Sequence, residues 1–189
     1  MTILTMGHST LPIKDFLQIL GDNGAPRVVD VRSIPHSRQN PQFDRRALIS
    51  ALVKARVPYH WMPSLGGLRP AMRDSVNVGW RSTSFRGYAD YMQSDEFAGA
   101  LEELIALASV AQVCLLCAEA VPWRCHRSLL ADALTARGLD VEHIMYKASG
   151  DSTRNHHSLP LFAQIDGSRV WYPARVGDLF SMAPTSPGD

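Results

Sequence analysis

The sequence predicts an α/β fold: a single three-layer domain on a mainly parallel sheet. Three observations carry that prediction. Short apolar runs of strand length alternate with stretches of helical period along most of the chain, the pattern of a parallel sheet covered on both faces. Phe97, Leu101, Leu104, Ile105 and Ala108 recur at i, i+4, i+7, i+8 and i+11, which is one face of an amphipathic helix. Residues 113–117 (VCLLC) are an apolar run followed by a loop broken at Pro122, and then by Leu129, Leu130, Ala133 and Leu134 at helical spacing. That is a strand, a loop and a helix in succession.

The elements follow in order. Residues 3–6 are a first strand, and Gly7-His8-Ser9-Thr10 is the turn that leaves it. Pro12 stands early in a first helix, where its missing N–H costs little, and Ile13, Phe16, Leu17 and Leu20 give that helix a buried face. Residues 28–31 are a second strand, followed by the polar loop 32–38. Asp44 is placed to cap a helix running to Ala55, with Leu48, Leu52 and Ala55 along one side. Residues 57–62 are a third strand, closed by Pro63 and then Leu65-Gly66-Gly67. Residues 68–92 mix arginine, glycine, serine and aromatics with no clear period. A structureless stretch of that length is uncommon unless it is functional, which suggests a lid. Ser94 caps the helix that carries Phe97 to Ala108, with Asp95 and Glu96 at its positive end. The helix after Cys125 is stopped by Gly138, and residues 141–145 are a last strand. Residues 147–157 are polar again, and the tail 182–189 is expected to fray, leaving residues 1–181 as the domain.

The composition excludes several classes. A chain of 189 residues, 46% hydrophobic and 20% charged, is globular and long enough for a full core. A net charge of +1 offers no field for DNA or a membrane surface. No apolar run is long enough to span a bilayer, and Met1 leads almost directly into a strand without the features of an export signal. Three cysteines, an odd number, argue against a disulfide framework and for a reducing compartment, so the expected location is cytoplasmic.

Chemistry-bearing residues gather after the strands. In a parallel sheet, the groups following strands one to four share the carboxyl edge, where ligands bind. They are His8, Asp30 with the loop 32–38, Gly66-Gly67, and the loop from Cys117 to Arg127. Cys114 and Cys117 are spaced as C-x-x-C, but three residues apart on a strand they face opposite ways, so a thioredoxin-type pair is rejected and Cys114 is read as core. Cys117 ends its strand facing a helix start and two arginines, surroundings that stabilise a thiolate; the competing reading is an inert buried thiol. A zinc site from Cys117, Cys125 and His126, with His8 or His156 and His157, matches no standard spacing, and Cys125 and His126 are adjacent. No metal and no cofactor is therefore expected. Arg124, His126 and Arg127 at a helix start suit an anion, although no P-loop is present.

At this point G-H-S-T at 7, V-D-V-R-S-I-P-H-S-R at 29, P-S-L-G-G at 63, F-R-G-Y-A-D-Y-M at 85 and C-A-E-A-V-P-W-R-C-H-R at 117 resemble the motifs of a bacterial and archaeal family, domain of unknown function 488. The resemblance covers roughly the first 150 residues. It implies a Rossmann-like α/β domain and no particular activity. A weaker likeness is to rhodaneses, in the order V-V-D-V-R, then L-L-C, an arginine-bearing loop and an apolar helix. It sets Cys117 where their persulfide-carrying cysteine stands, on a loop that is longer than theirs and broken by Pro122.

Three functional expectations follow. The first is a transferase or hydrolase that binds an anionic, phosphate-bearing or nucleotide-like small molecule. Arg32, Arg38 and Arg127 would hold the anion, with Ser37, Gly66, Gly67, Arg124, Cys125 and His126 around it and His8, Asp30 and Glu119 as acid–base groups. The second is thiol chemistry at Cys117, such as sulfur transfer, with Cys125 resolving the intermediate. The third is a non-enzymatic nucleotide- or nucleic-acid-sensing module contacting its ligand through Arg69 to Arg86; the near-neutral charge counts against its nucleic-acid form. No membrane partner is expected, and the oligomeric state is left open.

Overall fold

The computed structural model describes residues 1–147 and 150–174. A central sheet is built from β1 (Thr2–Gly7), β2 (Arg27–Asp30), β3 (Tyr59–Trp61), β4 (Val113–Cys117), β5 (Asp140–Tyr146) and β6 (Ser152–His156), in the order β3-β2-β4-β1-β5-β6. β1 to β5 run parallel and β6 is antiparallel to β5. The α/β, mainly parallel expectation therefore holds.

Helices α1 (Ile13–Asp22) and α2 (Arg45–Lys54) cover one face, and α3 (Thr83–Tyr91), α4 (Asp95–Val110) and α5 (Arg127–Thr135) cover the other. β4 shows how one strand serves both layers. Val113, Leu115 and Cys117 join the α3–α5 core, while Cys114 and Leu116 join Phe16, Leu20 and Leu48 on the α1–α2 side. The two cysteines of the C-x-x-C spacing do face opposite layers, as a period of two requires. The caps are those the sequence marks: Asp44 accepts from the Arg46 N–H and Ser94 from the Phe97 N–H.

Three segments differ from the sequence reading. Residues 83–91, expected within an irregular lid, form α3, and its Tyr88 is fully buried with its hydroxyl donated to the Leu65 carbonyl. Gly87 hid the period: it lowers helix propensity, yet it is needed because the chain at Arg69–Ala71 crosses directly over it. The first half of the stretch is pinned as well, by Asp90 accepting from the Met72 N–H and the Asn77 amide. The polar segment 147–157 supplies β6, an exposed edge strand whose mixed side chains show no alternation. A small hairpin, β7 (Gln164–Asp166) and β8 (Arg169–Trp171), was not expected at all. The tail 182–189 lies outside the described residues.

The path of the chain creates a crevice. After β1 it turns to the α1 face; after β4, the neighbour of β1, it turns to the α5 face. Diverging connections at adjacent strands leave a gap at their carboxyl ends. Gly7 pairs with Cys117 there, and a methyl group at Gly7 would collide with the Glu119 carbonyl. Gly7→Ala should destabilise by about 2 kcal/mol, as overpacking against backbone does. Gly99→Ala, at a helical position with nothing within 4 Å, should stabilise by about 0.5–1 kcal/mol. Urea unfolding of the two variants checks both signs.

Candidate functional site

A cavity of about 580 Å³ opens over this crevice. It is lined by His8 and Ser9 after β1, by the loop after β2 from Arg32 to Asn40, by Gly67 and Leu68, by Ser84 and Phe85 of α3, and by Cys117, Glu119 and Arg124 to His126. The carboxyl-edge location expected from the strand order is where these groups meet.

Two thiols lie at its base. Cys117 ends β4, and Cys125 returns beside it after the turn Pro122–Arg124, with the sulfurs 3.0 Å apart. His126 Nδ1 lies 3.6 Å from the Cys125 sulfur and 3.9 Å from that of Cys117, while its Nε2 is 3.2 Å from the Val31 carbonyl. A carbonyl only accepts, so Nε2 carries a proton and Nδ1 is left facing the sulfurs. The Cys125 S–H donated to Cys117 holds the Cys117 thiol well below its ordinary range; burial opposes this, and Arg127 reinforces it. Cys125, retaining the shared proton and buried, is pushed well above that range. The Arg127 N–H, at the first turn of α5, also points at the Cys125 sulfur, 3.5 Å away.

Arg127 is 1% exposed. Its Nη1 and Nη2 donate to the Glu119 and Ala120 carbonyls, its Nε has no partner, and among the described residues no carboxylate pairs with it. Its charge also favours ionisation of the Cys117 thiol. Arg127 thus holds the loop and does not line the cavity. Arg32 is spent too. Its Nε and Nη2 engage Asp30 at 2.8 and 2.6 Å, and its Nη1 donates to the Phe43 carbonyl. Asp30, fully buried, also accepts from Tyr59; it braces the Arg32 loop and does not line the cavity.

His8 stacks on Phe43 with centroids 4.0 Å apart, and burial lowers it to about 4. Its Nδ1 donates to the Ser9 carbonyl and its Nε2 accepts from Arg32, so both nitrogens of the neutral ring are occupied. Glu119 and Arg124 are exposed on the cavity wall. Ser37 and Gly67 line it; Arg38 and Gly66 do not, and Gly66 backs onto Ser33. Sequence reasoning missed the contribution of Ser33, Gln39, Asn40 and Phe85, which carry no chemical signal until the loops fold together.

Cys117, Cys125 and His126 present their ligand atoms within 4.8 Å of one another. Their adjacency in sequence does not separate Cys125 from His126, because the chain passes from extended backbone at Cys125 to helical backbone at His126. His8, His156 and His157 do not join them. The two sulfurs, 3.0 Å apart, are closer than two thiolates on a tetrahedral zinc with bonds of about 2.3 Å, which stand about 3.8 Å apart. His157 is engaged elsewhere. It is 2.7 Å from Asp132 and 3.0 Å from His143, beside a second cavity of about 380 Å³.

Comparison with known proteins returns a match to the family described as domain of unknown function DUF488, over residues 12–134. That span holds Arg32, both cavity thiols and Arg127. No curated protein and no solved structure matches.

The lowered His8 has a consequence for stability. A histidine refused its proton in the folded state favours folding fully above its unfolded value. That contribution is lost as pH falls from about 6.5 to about 4, because only the unfolded chain takes the proton up. The loss expected from His8 is about 3 kcal/mol, and His143, lowered by burial to about 3, adds to it. Urea unfolding between pH 7 and pH 4 should show this decline, and His8→Gln should flatten its His8 part.

Proposed function

The chain belongs to the DUF488 family, which carries no assigned activity, and from its own residues we propose that it is a thiol-dependent enzyme acting on a small molecule held at the carboxyl edge of the sheet. The observation that carries this reading is the 3.0 Å contact between the Cys125 and Cys117 sulfurs at the base of an open cavity. Cys117, held as thiolate by Cys125 and Arg127, is the nucleophile.

The chemistry is thiol–disulfide exchange. The Cys117 thiolate attacks one sulfur of a substrate S–S bond, forming a mixed disulfide and expelling the other sulfur as a thiolate. Cys125 gives up its proton, for which His126 Nδ1 is an acceptor in reach, and attacks the Cys117 sulfur. A Cys117–Cys125 disulfide forms and the second half of the substrate leaves as a thiolate. The substrate gains two electrons and the dithiol loses them; a small-molecule thiol restores the pair by two further exchanges. With a thiosulfate-type donor, the Cys117 thiolate attacks the outer sulfur, the donor's S–S bond breaks with sulfite leaving, and the outer sulfur remains on Cys117 as a persulfide, which is the sulfur-transfer form of the reading.

The anion reading depends on fewer groups than the sequence suggested. Arg32 and Arg127 are committed to protein acceptors, so Arg124 is the arginine left to meet a substrate's negative charge. A sensing surface on Arg69 to Arg86 is weakened likewise, since Arg69 packs over Tyr91 and Arg86 donates to the Trp80 carbonyl.

Iodoacetamide alkylation followed by mass spectrometry tests the proposal. The expected outcome is preferential labelling of Cys117 at a rate nearly flat from neutral pH upward. Cys114, pushed up by burial to about 12, should stay unlabelled. Cys125→Ala removes the donor and should raise the Cys117 midpoint, slowing labelling at pH 7 by about tenfold. A Cys117 that titrates near 8.5, like a free thiol, in the unaltered protein would sink the nucleophile assignment.

A further inference from the structure

The charges that line the cavity are not equally available. His8 is neutral with both nitrogens engaged. Arg32 is paired with Asp30, and His36 lies 2.6 Å from Asp44. His126 faces the sulfurs and Val31. Two remain. Glu119 and Arg124 are exposed, both line the cavity, and neither side chain makes a hydrogen bond or ion pair among the described residues. Their positions are specific to the thiols: Glu119 follows Cys117 by two residues, and Arg124 immediately precedes Cys125. Each reactive sulfur therefore has an unspent charge beside it in the chain, and the two charges are opposite in sign.

We infer that the substrate of the thiol pair is a zwitterionic organosulfur compound of the amino-acid or short-peptide kind, whose carboxylate meets Arg124 and whose ammonium group meets Glu119. This inference rests on the thiol reading above. In a compound of this class the sulfur, the carboxylate and the ammonium lie within a few bonds of one another, matching two opposite charges on the wall of the cavity that the sulfurs line. A phosphate-type dianion would meet one free cation and be repelled by Glu119; a dication would be repelled by Arg124. The remaining wall suits a polar backbone, with the hydroxyls of Ser9, Thr10, Ser33 and Ser37 and the amide of Asn40 as neutral partners. The volume of about 580 Å³ falls within the usual range for small-molecule sites.

The test is a charge series of small symmetric disulfides: cystine, 2-hydroxyethyl disulfide, dithiodiglycolate and cystamine. They carry zwitterionic, neutral, anionic and cationic ends respectively. The rate of oxidation of the Cys117–Cys125 pair is followed by mass, with Cys125→Ser used to trap the mixed disulfide. Iodoacetamide, which is uncharged, reports in parallel whether Cys117 reacts at all. Cystine should be fastest, by about fivefold over the neutral disulfide, the upper range for one solvent-exposed ion pair, and salt should shrink the margin. Arg124→Gln should remove the cystine advantage and speed cystamine; Glu119→Gln should remove it and speed dithiodiglycolate. Equal rates across the series, or dithiodiglycolate fastest, with Cys117 still alkylated, would overturn the zwitterion assignment and leave the thiol reading standing. A Cys117 inert to iodoacetamide and to every disulfide would overturn both.

Discussion

One buried cation organises the site. Arg127 enters the first turn of α5 with almost no exposure, and its two terminal nitrogens are satisfied by the successive carbonyls of Glu119 and Ala120. Those bonds fold the loop between β4 and α5 back over the sheet, so that Cys125 lands against Cys117 and the Glu119 carbonyl sits over Gly7. Backbone carbonyls satisfy the guanidinium's hydrogen bonds but not its charge. That charge, in a poorly solvated place, favours ionisation of the Cys117 thiol.

The rest of the fold holds that arrangement in place. Asp30 and Arg32 form a buried ion pair, and through the Phe43 carbonyl, Tyr59 and His8 they fix the loop that makes the opposite wall of the cavity. Behind α5 a directed chain of hydrogen bonds ties the helix to the sheet. Tyr172 donates to Asp132, which accepts from His157; His157 in turn accepts from His143, and His143 from Thr5 of β1. This order gives every nitrogen a partner with both rings neutral, in keeping with the lowered His143. It anchors α5 from its middle, leaving its first turn aimed at the thiols.

Among the described residues no helix is long and apolar enough to cross a membrane. The cavity walls come from loops at four strand ends, while the thiols themselves stand at the end of a strand and the start of a helix.

The sequence by itself determined the layered architecture, because strand and helix periods are local properties of residue order. The β4–loop–α5 unit, the caps at Asp44 and Ser94 and the opposed facing of Cys114 and Cys117 were all legible in it. It also marked the loop that carries Cys117, Glu119, Arg124, Cys125 and His126, since so many reactive groups crowd one turn. It did not determine which of those groups are free. Arg127 and Arg32 read as ligand-binding arginines in the chain, and only folding brought carbonyls and Asp30 within 2.6–3.2 Å of them. The helix at residues 83–91 was obscured by a glycine whose reason lies in a chain crossing from residues 69–71. Hydrogen-bond satisfaction and burial depend on partners far apart in sequence. The tertiary structure therefore decided which charges are paired, which sulfurs touch, and which side chains on the cavity wall are left without a protein partner among the described residues.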